Sequence, residues 1–379
     1  MRHHLDSSPA TETCLGGRGM NEFEPTPVDA KIWRCTIASA LLGTLALGFW
    51  LWWSLAGDRA FSLDASYLRH AHAHLGYFGL LFPLAWLGWR PSGARPFGPG
   101  ALLCYAICTA LTCLGIAFYG YGPVVIIGSA LLAALLIWSS LGLFLGSHQT
   151  DDPLVVVPWG VIVSLLCVIP IVMSLRSDNA ALASDFASTL LASSLFLVVI
   201  PSAMAGRRIT VGPWQLLFTT GLLGALFLGV VEHPVARVGL LAHAMLLLTL
   251  TRTTRLEVHT RCAWGMVAAG LGAMATGLLP NTRPVALGAI HFLILGPVLA
   301  TLAPLWLKRP PPSWMWWLGH LSWGSMSAAL LAQEFVASSW TWTIVAASGL
   351  ATTLWWLLVL AYPWRDEPPQ VHDQSMVMV

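Results

Sequence analysis

Apolar residues along this chain gather in long blocks separated by short polar stretches. Twelve blocks can be marked between Lys31 and Arg365, at 32–56, 66–89, 99–119, 122–146, 153–175, 185–205, 210–231, 234–251, 260–280, 284–307, 312–333 and 338–363. Each is roughly 18 to 25 residues long, enough for a helix to cross a hydrocarbon layer of about 30 Å. The ten-residue alternation of apolar and polar positions that marks a membrane β-barrel strand is missing. The pattern therefore predicts an all-α, polytopic bundle of about twelve transmembrane helices. Short loops make successive helices antiparallel neighbours, and no soluble domain interrupts them. The expected division is a polar segment at 1–31, one membrane domain at 32–364 and a tail at 365–379.

Composition strengthens this picture. Hydrophobic residues make up 56% of the chain and charged residues 9%, against about 25% charged in a soluble domain. No basic tract or base-stacking platform suits nucleic acid. With the N-terminus placed inside, only Arg59, Arg69, Arg176, Arg237 and Arg283 of the nineteen Lys and Arg fall outside. That asymmetry predicts cytoplasmic termini in a cell membrane, with even-numbered spans entering from the outer face. The first thirty residues lack the apolar middle of a secretory signal. Met20 is expected to be the true start, so residues 1–19, with His3, His4 and Cys14, carry little weight. Trp89, Trp159, Trp314, Trp316, Trp317 and Trp364 fall near span ends, where interfacial belts form.

Charged groups inside a bilayer cost about 3 kcal/mol or more, so those that remain there invite explanation. Carboxylates are nearly absent from the spans, which argues against a proton-driven transporter. Histidines remain. The second span opens SYLRHAHAHLGYFG, in which His70 and His74 share one helix face and His72 points to another. Gly76 and Gly79 clear the face below His72, where a flat macrocycle could approach. In the tenth span, VALGAIHFLILG places His291 about as deep as His74, and the eighth span adds His243 at nearly the same level. Facing imidazoles at one depth are the axial ligands of a bis-histidine haem. Arg69 and Arg283, with Arg237, stand where anionic propionates would need cations. His148 and His259 are expected in cytoplasmic loops, His320 lies toward the inner leaflet, and His372 falls in the tail. Cys104 and Cys108, one turn apart, could hold copper but suit plain packing better. Zinc-type cysteine pairs, nucleophile elbows and phosphate loops are absent.

HAHLGYFG at 72–79 resembles the HAHEMLFG motif of the NnrS family, twelve-helix membrane proteins associated with haem and copper and linked to nitric oxide metabolism. Leu75 and Gly76 replace the family's Glu-Met. VVIPSAMAGRRI at 198–209 is similar to its GGRVIPFF segment, and ALGAIHFLILG to its ALHALTVGAIG segment. The family's RVxLGHTGR element has no counterpart after His291. The histidines of spans two and ten are also placed like the low-spin haem ligands of haem-copper oxidase catalytic subunits. EHPVARV at 232–238 only superficially resembles the oxidase's HPEV copper motif, and the oxidase's dinuclear centre is missing.

The resemblance implies a haem b protein, with copper as a second metal, that binds a diatomic gas or exchanges electrons with a donor in nitric oxide or respiratory metabolism. His72 or His74 would pair with His291 as axial ligands. His243 would be a further ligand or the partner of copper. The alternatives are a cofactor-free or copper-handling transporter or assembly protein, and a structural subunit among respiratory-complex partners.

Overall fold

The computed structural model describes residues 27–57, 64–89, 98–146, 153–177, 179–206, 234–253, 256–280, 282–307, 310–336 and 338–361. The expected seventh span at 210–231 lies outside them, as do Glu232, His233, His148, Trp364 and His372. The described residues form the helices α1 (Pro27–Leu55), α2 (65–89), α3 (Pro99–Tyr119), α4 (Pro123–Gly146), α5 (153–176), α6 (180–205), α7 (Pro234–Thr253), α8 (Val258–Thr276), α9 (Arg283–Trp306), α10 (Ser313–Ala332) and α11 (Ser339–Ala361). Among the described residues, eight helices are long and apolar enough to cross a membrane. The three that fall short are α2, α8 and α10, which are enriched in His, Gly or Trp. Large apolar side chains stand exposed around the perimeter, among them Leu111, Val124, Trp138 and Ile169. Water would not tolerate so broad an apolar surface, whereas lipid does. The chain is an all-helical, multi-pass membrane protein.

Three helices form the interior. Residues 79–89 of α2, 192–206 of α6 and 295–303 of α9 are buried without a solvent-facing stripe, as expected of helices that are apolar all round. Their C-terminal segments, 82–89, 200–205 and 299–306, pack on one another. Trp89 Nε1–H donates to Ser202 Oγ at 2.7 Å, joining α2 to α6. Trp264 of α8 donates to Thr301 Oγ1 of α9 at 2.9 Å. Such bonds hold helices together where lipid supplies no hydrophobic drive.

Each interior helix contains a π-helical stretch, at Leu75–Leu81, Ser194–Val199 and Ile294–Val298. Proline accounts for the placement. Phe82 and Ile200, each immediately before a proline, donate five residues back, to Tyr77 and Leu195. Pro83 has no N–H to offer the Phe78 carbonyl. Tyr105 of α3 supplies the missing donor, its hydroxyl bonding Phe78 O at 2.8 Å. The third stretch contains Pro297 itself. Proline is not sufficient, because Pro170 sits within the α-helix Val157–Arg176. Each wide turn adds a residue and so rotates the following face by about 100°. The histidine-bearing start of α2 can thus face differently from its buried end.

Two sequence expectations need correcting. Trp159, Trp314 and Trp317 are exposed as belt residues should be, but Trp89 and Trp316 are buried. Their rings serve packing and hydrogen bonding within the bundle. His259 belongs to the first turn of α8 and not to a loop. It is buried, with its ring parallel to Trp316 at 5.4 Å and 5.8 Å from the ring of His320. The polar run around it reads as a loop, yet the helix begins at Val258, with Glu257 at the position before it.

Candidate functional site

The paired imidazoles belong to the N-terminal halves of α2 and α9. Asp64 caps α2, accepting from the backbone N–H groups of Ser66 and Tyr67, and so fixes where the helix starts. From that start, His70 and His74 point together. Their rings lie 5.3 and 5.7 Å from the ring of Tyr121, in the turn between α3 and α4. That turn requires Gly120, whose φ is +66° and whose missing side chain leaves room for Tyr67. His74 also approaches Phe78, and its Nδ1–H donates to the His70 carbonyl of its own helix at 3.1 Å.

His72 points the other way, into the contact between α1 and α2. Its Nδ1–H donates across to the Thr44 carbonyl of α1 at 2.9 Å. Gly48, one turn further along α1, makes room for the ring: a Cβ there would stand 2.9 Å from His72 Cε1. Gly76 and Gly79 have the same function on α2. Cβ atoms at these positions would meet Thr44 and Ala40 of α1 at 3.3 Å. The glycine face below His72 is therefore filled by α1 and is not open to a macrocycle.

His291 of α9 completes the arrangement. Its ring is parallel to that of His72 within 8°, with the ring centres 6.0 Å apart. His291 Nδ1–H donates to Leu287 O at 2.7 Å, and the edge of Trp52 from α1 packs on it at 6.2 Å. Trp52 in turn stacks on Trp342 of α11 at 5.3 Å. A carbonyl oxygen can only accept, so both imidazoles carry their proton on Nδ1 and present Nε2 as a lone pair. Neither Nε2 has a hydrogen-bond partner among the described residues.

Arg69 and Arg283 are exposed at the N-terminal ends of the same two helices. They lie within electrostatic reach of each other and of His70. Neither has a carboxylate partner among the described residues. Two neighbouring guanidinium groups without a counter-charge make a place for an anion. Arg237 is exposed on α7.

His243 is not part of this pair. It is 1% exposed in α7, lies edge-on to Phe196 of α6 at 4.7 Å, and among the described residues has no hydrogen bond at either ring nitrogen. A buried polar group without a partner costs about 1–3 kcal/mol. His243→Leu is accordingly expected to raise the thermal unfolding midpoint in detergent and to leave any haem absorbance unchanged. Loss of that absorbance would make His243 a ligand after all.

The donor set discriminates between metals. Among the described residues, no three His, Cys, Asp or Glu side chains gather as a metal site. Cys104 is exposed, Cys108 half-buried, and both are free thiols. A copper ion at the pair would have two protein donors, whereas haem iron needs only two because the porphyrin provides four. With metal–nitrogen bonds of about 2.0 Å, imidazoles on opposite sides of one metal have ring centres roughly 6 Å apart. Offset aromatic pairs also reach that separation. In either arrangement each Nε2 keeps a lone pair. No family model, curated protein or solved structure matches the chain.

Proposed function

We propose that this chain is an NnrS-like haem b protein of the cytoplasmic membrane, with twelve spans and both termini cytoplasmic, that passes electrons in respiratory or nitric oxide metabolism. The observation that carries this reading is the parallel pair His72 and His291, with each Nδ1 bonded to a carbonyl and each Nε2 free. Haem bound there would supply a one-electron couple at its iron. The protein's own residues would hold it from both sides. Backbone bonds from the imidazole N–H groups fix ring rotation and raise ligand basicity. The bond from His72 to Thr44 ties its ring to a second helix, and that of His291 to Leu287 holds its ring against its own helix. If both imidazoles held the iron, they would leave no open position for a diatomic gas and would favour electron transfer. Arg69 and Arg283 would offset the negative charge of the propionates at the same end of the bundle.

The test is a dithionite-reduced minus oxidised spectrum of the detergent-purified protein, repeated under carbon monoxide and nitric oxide. Sharp b-type bands that neither gas shifts are the expected result. Bands that shift would move the function to gas binding. A spectrum without bands would remove haem from the reading.

A further inference from the structure

A second feature lies on the opposite side of α9. A cavity of about 320 Å³ is lined by α6, α8, α9 and α10, together with Leu240 of α7. Its α9 wall runs from Val285 to Leu293 but omits Leu287 and His291, which form the stripe facing α1 and α2. Ile290 and Phe292, the sequence neighbours of His291, are both in the wall. One helix therefore separates the cavity from the imidazole pair.

The lining is apolar, with the rings of Phe196 and Phe292 among small residues such as Gly270 and Gly324. Ser188 and Ser327 are the polar exceptions. Ser327 is 4% exposed, and its hydroxyl has no hydrogen-bond partner among the described residues. A buried hydroxyl in this position calls for a ligand that brings an acceptor. Met266, also in the lining, is 60% exposed on the lipid-facing perimeter. The cavity thus reaches the outer surface of the bundle at mid-helix in α8. The volume lies within the range of small-molecule sites, about 300–1,000 Å³.

We propose that this cavity binds the head group of a lipid-soluble quinone, with the Ser327 hydroxyl donating to one of its carbonyls. A flat ring suits the two phenylalanine faces, and the carbonyl satisfies the orphan hydroxyl. A lipid acyl chain would fill the space yet leave Ser327 unpaired. Binding itself stands on the cavity alone. Only its meaning, as the seat of an electron partner one helix away from a haem, rests on the proposed function.

The glycines allow the cavity to be blocked cleanly. A Cβ at Gly270 would meet nothing within 4 Å, and one at Gly324 would meet only Phe292 at 3.9 Å. Leucine at either position projects into the cavity, and it suits a helix better than glycine. The experiment is photolabelling of the full-length protein in detergent with an azido-benzoquinone, with competition by decylubiquinone and mapping of the labelled peptides. Label is expected within 188–196, 266–293 or 324–331, displaced by the competitor, and reduced at least tenfold in Gly324→Leu and Gly270→Leu. Ser327→Ala should weaken competition roughly fivefold to tenfold, and Ser327→Thr should preserve it. Label elsewhere, label indifferent to both leucines, or a phospholipid that decylubiquinone cannot displace would overturn the proposal. Leucine-sensitive labelling in a protein without haem bands would sink the haem reading and leave the cavity standing. Haem bands without such labelling would do the reverse.

Discussion

His72→Ala and His291→Ala are each expected to abolish the b-type absorbance of the purified protein, while His74→Ala retains it. The three histidines lie at similar depth, so a test of hydrophobicity or helix length could not separate them. Their surroundings do. His74 spends its Nδ1–H within its own helix and faces Tyr121 and Phe78, whereas His72 crosses to Thr44 and lies parallel to His291. Loss of one axial imidazole should lower haem content at least tenfold, since even changes behind a metal ligand cost about 10- to 100-fold. Gly48→Ala guards against the trivial outcome of a misfolded alanine variant. It keeps every histidine but places a methyl group 2.9 Å from His72 Cε1 and 3.2 Å from its Nδ1. The ring must then turn or retreat, straining the bond to Thr44, and the absorbance should weaken or shift in a protein that still purifies. Full absorbance in His72→Ala together with its loss in His74→Ala would refute the pairing seen here.

Much of this arrangement is legible in the sequence because helices translate spacing into direction. Residues two apart on a helix diverge, so His70 and His74 had to separate from His72, and they do. Counting residues in from the helix ends places His74 about as deep as His291, two positions beyond the His72 that meets it. The sequence does not disclose proximity to α1. Gly48 and Thr44 carry no signal of their own, and the glycines after His72 read equally well as room for a cofactor or room for a helix. The π-helical stretches were equally hidden. Pro83 and Pro201 signal an interrupted backbone, but Pro170 gives the same signal inside an uninterrupted α-helix. What decides is the environment: Tyr105 stands ready to bond the carbonyl that Pro83 abandons. His259 was misplaced because its polar neighbours read as a loop, although its imidazole is buried against Trp316. Burial of this kind depends on a partner more than fifty residues away, and no local pattern reports it.

The interior contact of α2 with α6 should be the least tolerant position in the bundle, and Gly88→Ala is expected to destabilise the protein by about 3 kcal/mol or more. A Cβ at Gly88 would run into the backbone carbonyl of Ser202, with the carbonyl carbon only 2.8 Å away. A flexible side chain could yield, but this is the main chain of a helix buried on every side. The helices must therefore move apart, and separation lengthens the bond between Trp89 and Ser202 as well. Gly265→Ala is the matched control, because a Cβ there meets nothing within 4 Å. Its midpoint should be unchanged or slightly raised, as alanine favours a helix over glycine by about 1 kcal/mol. Thermal unfolding followed by tryptophan fluorescence in detergent would compare the two. Equal midpoints would mean that α2 and α6 do not meet at Gly88. The effect should also reach the imidazoles. The C-terminal halves of α2, α6 and α9 pack together, and the same α2 and α9 carry His72 and His291 at their other ends. A shift of α2 away from α6 would tilt His72 relative to His291, so Gly88→Ala should reduce haem content in whatever folded protein survives. Stability and ligation fail together here because one trio of helices supplies both.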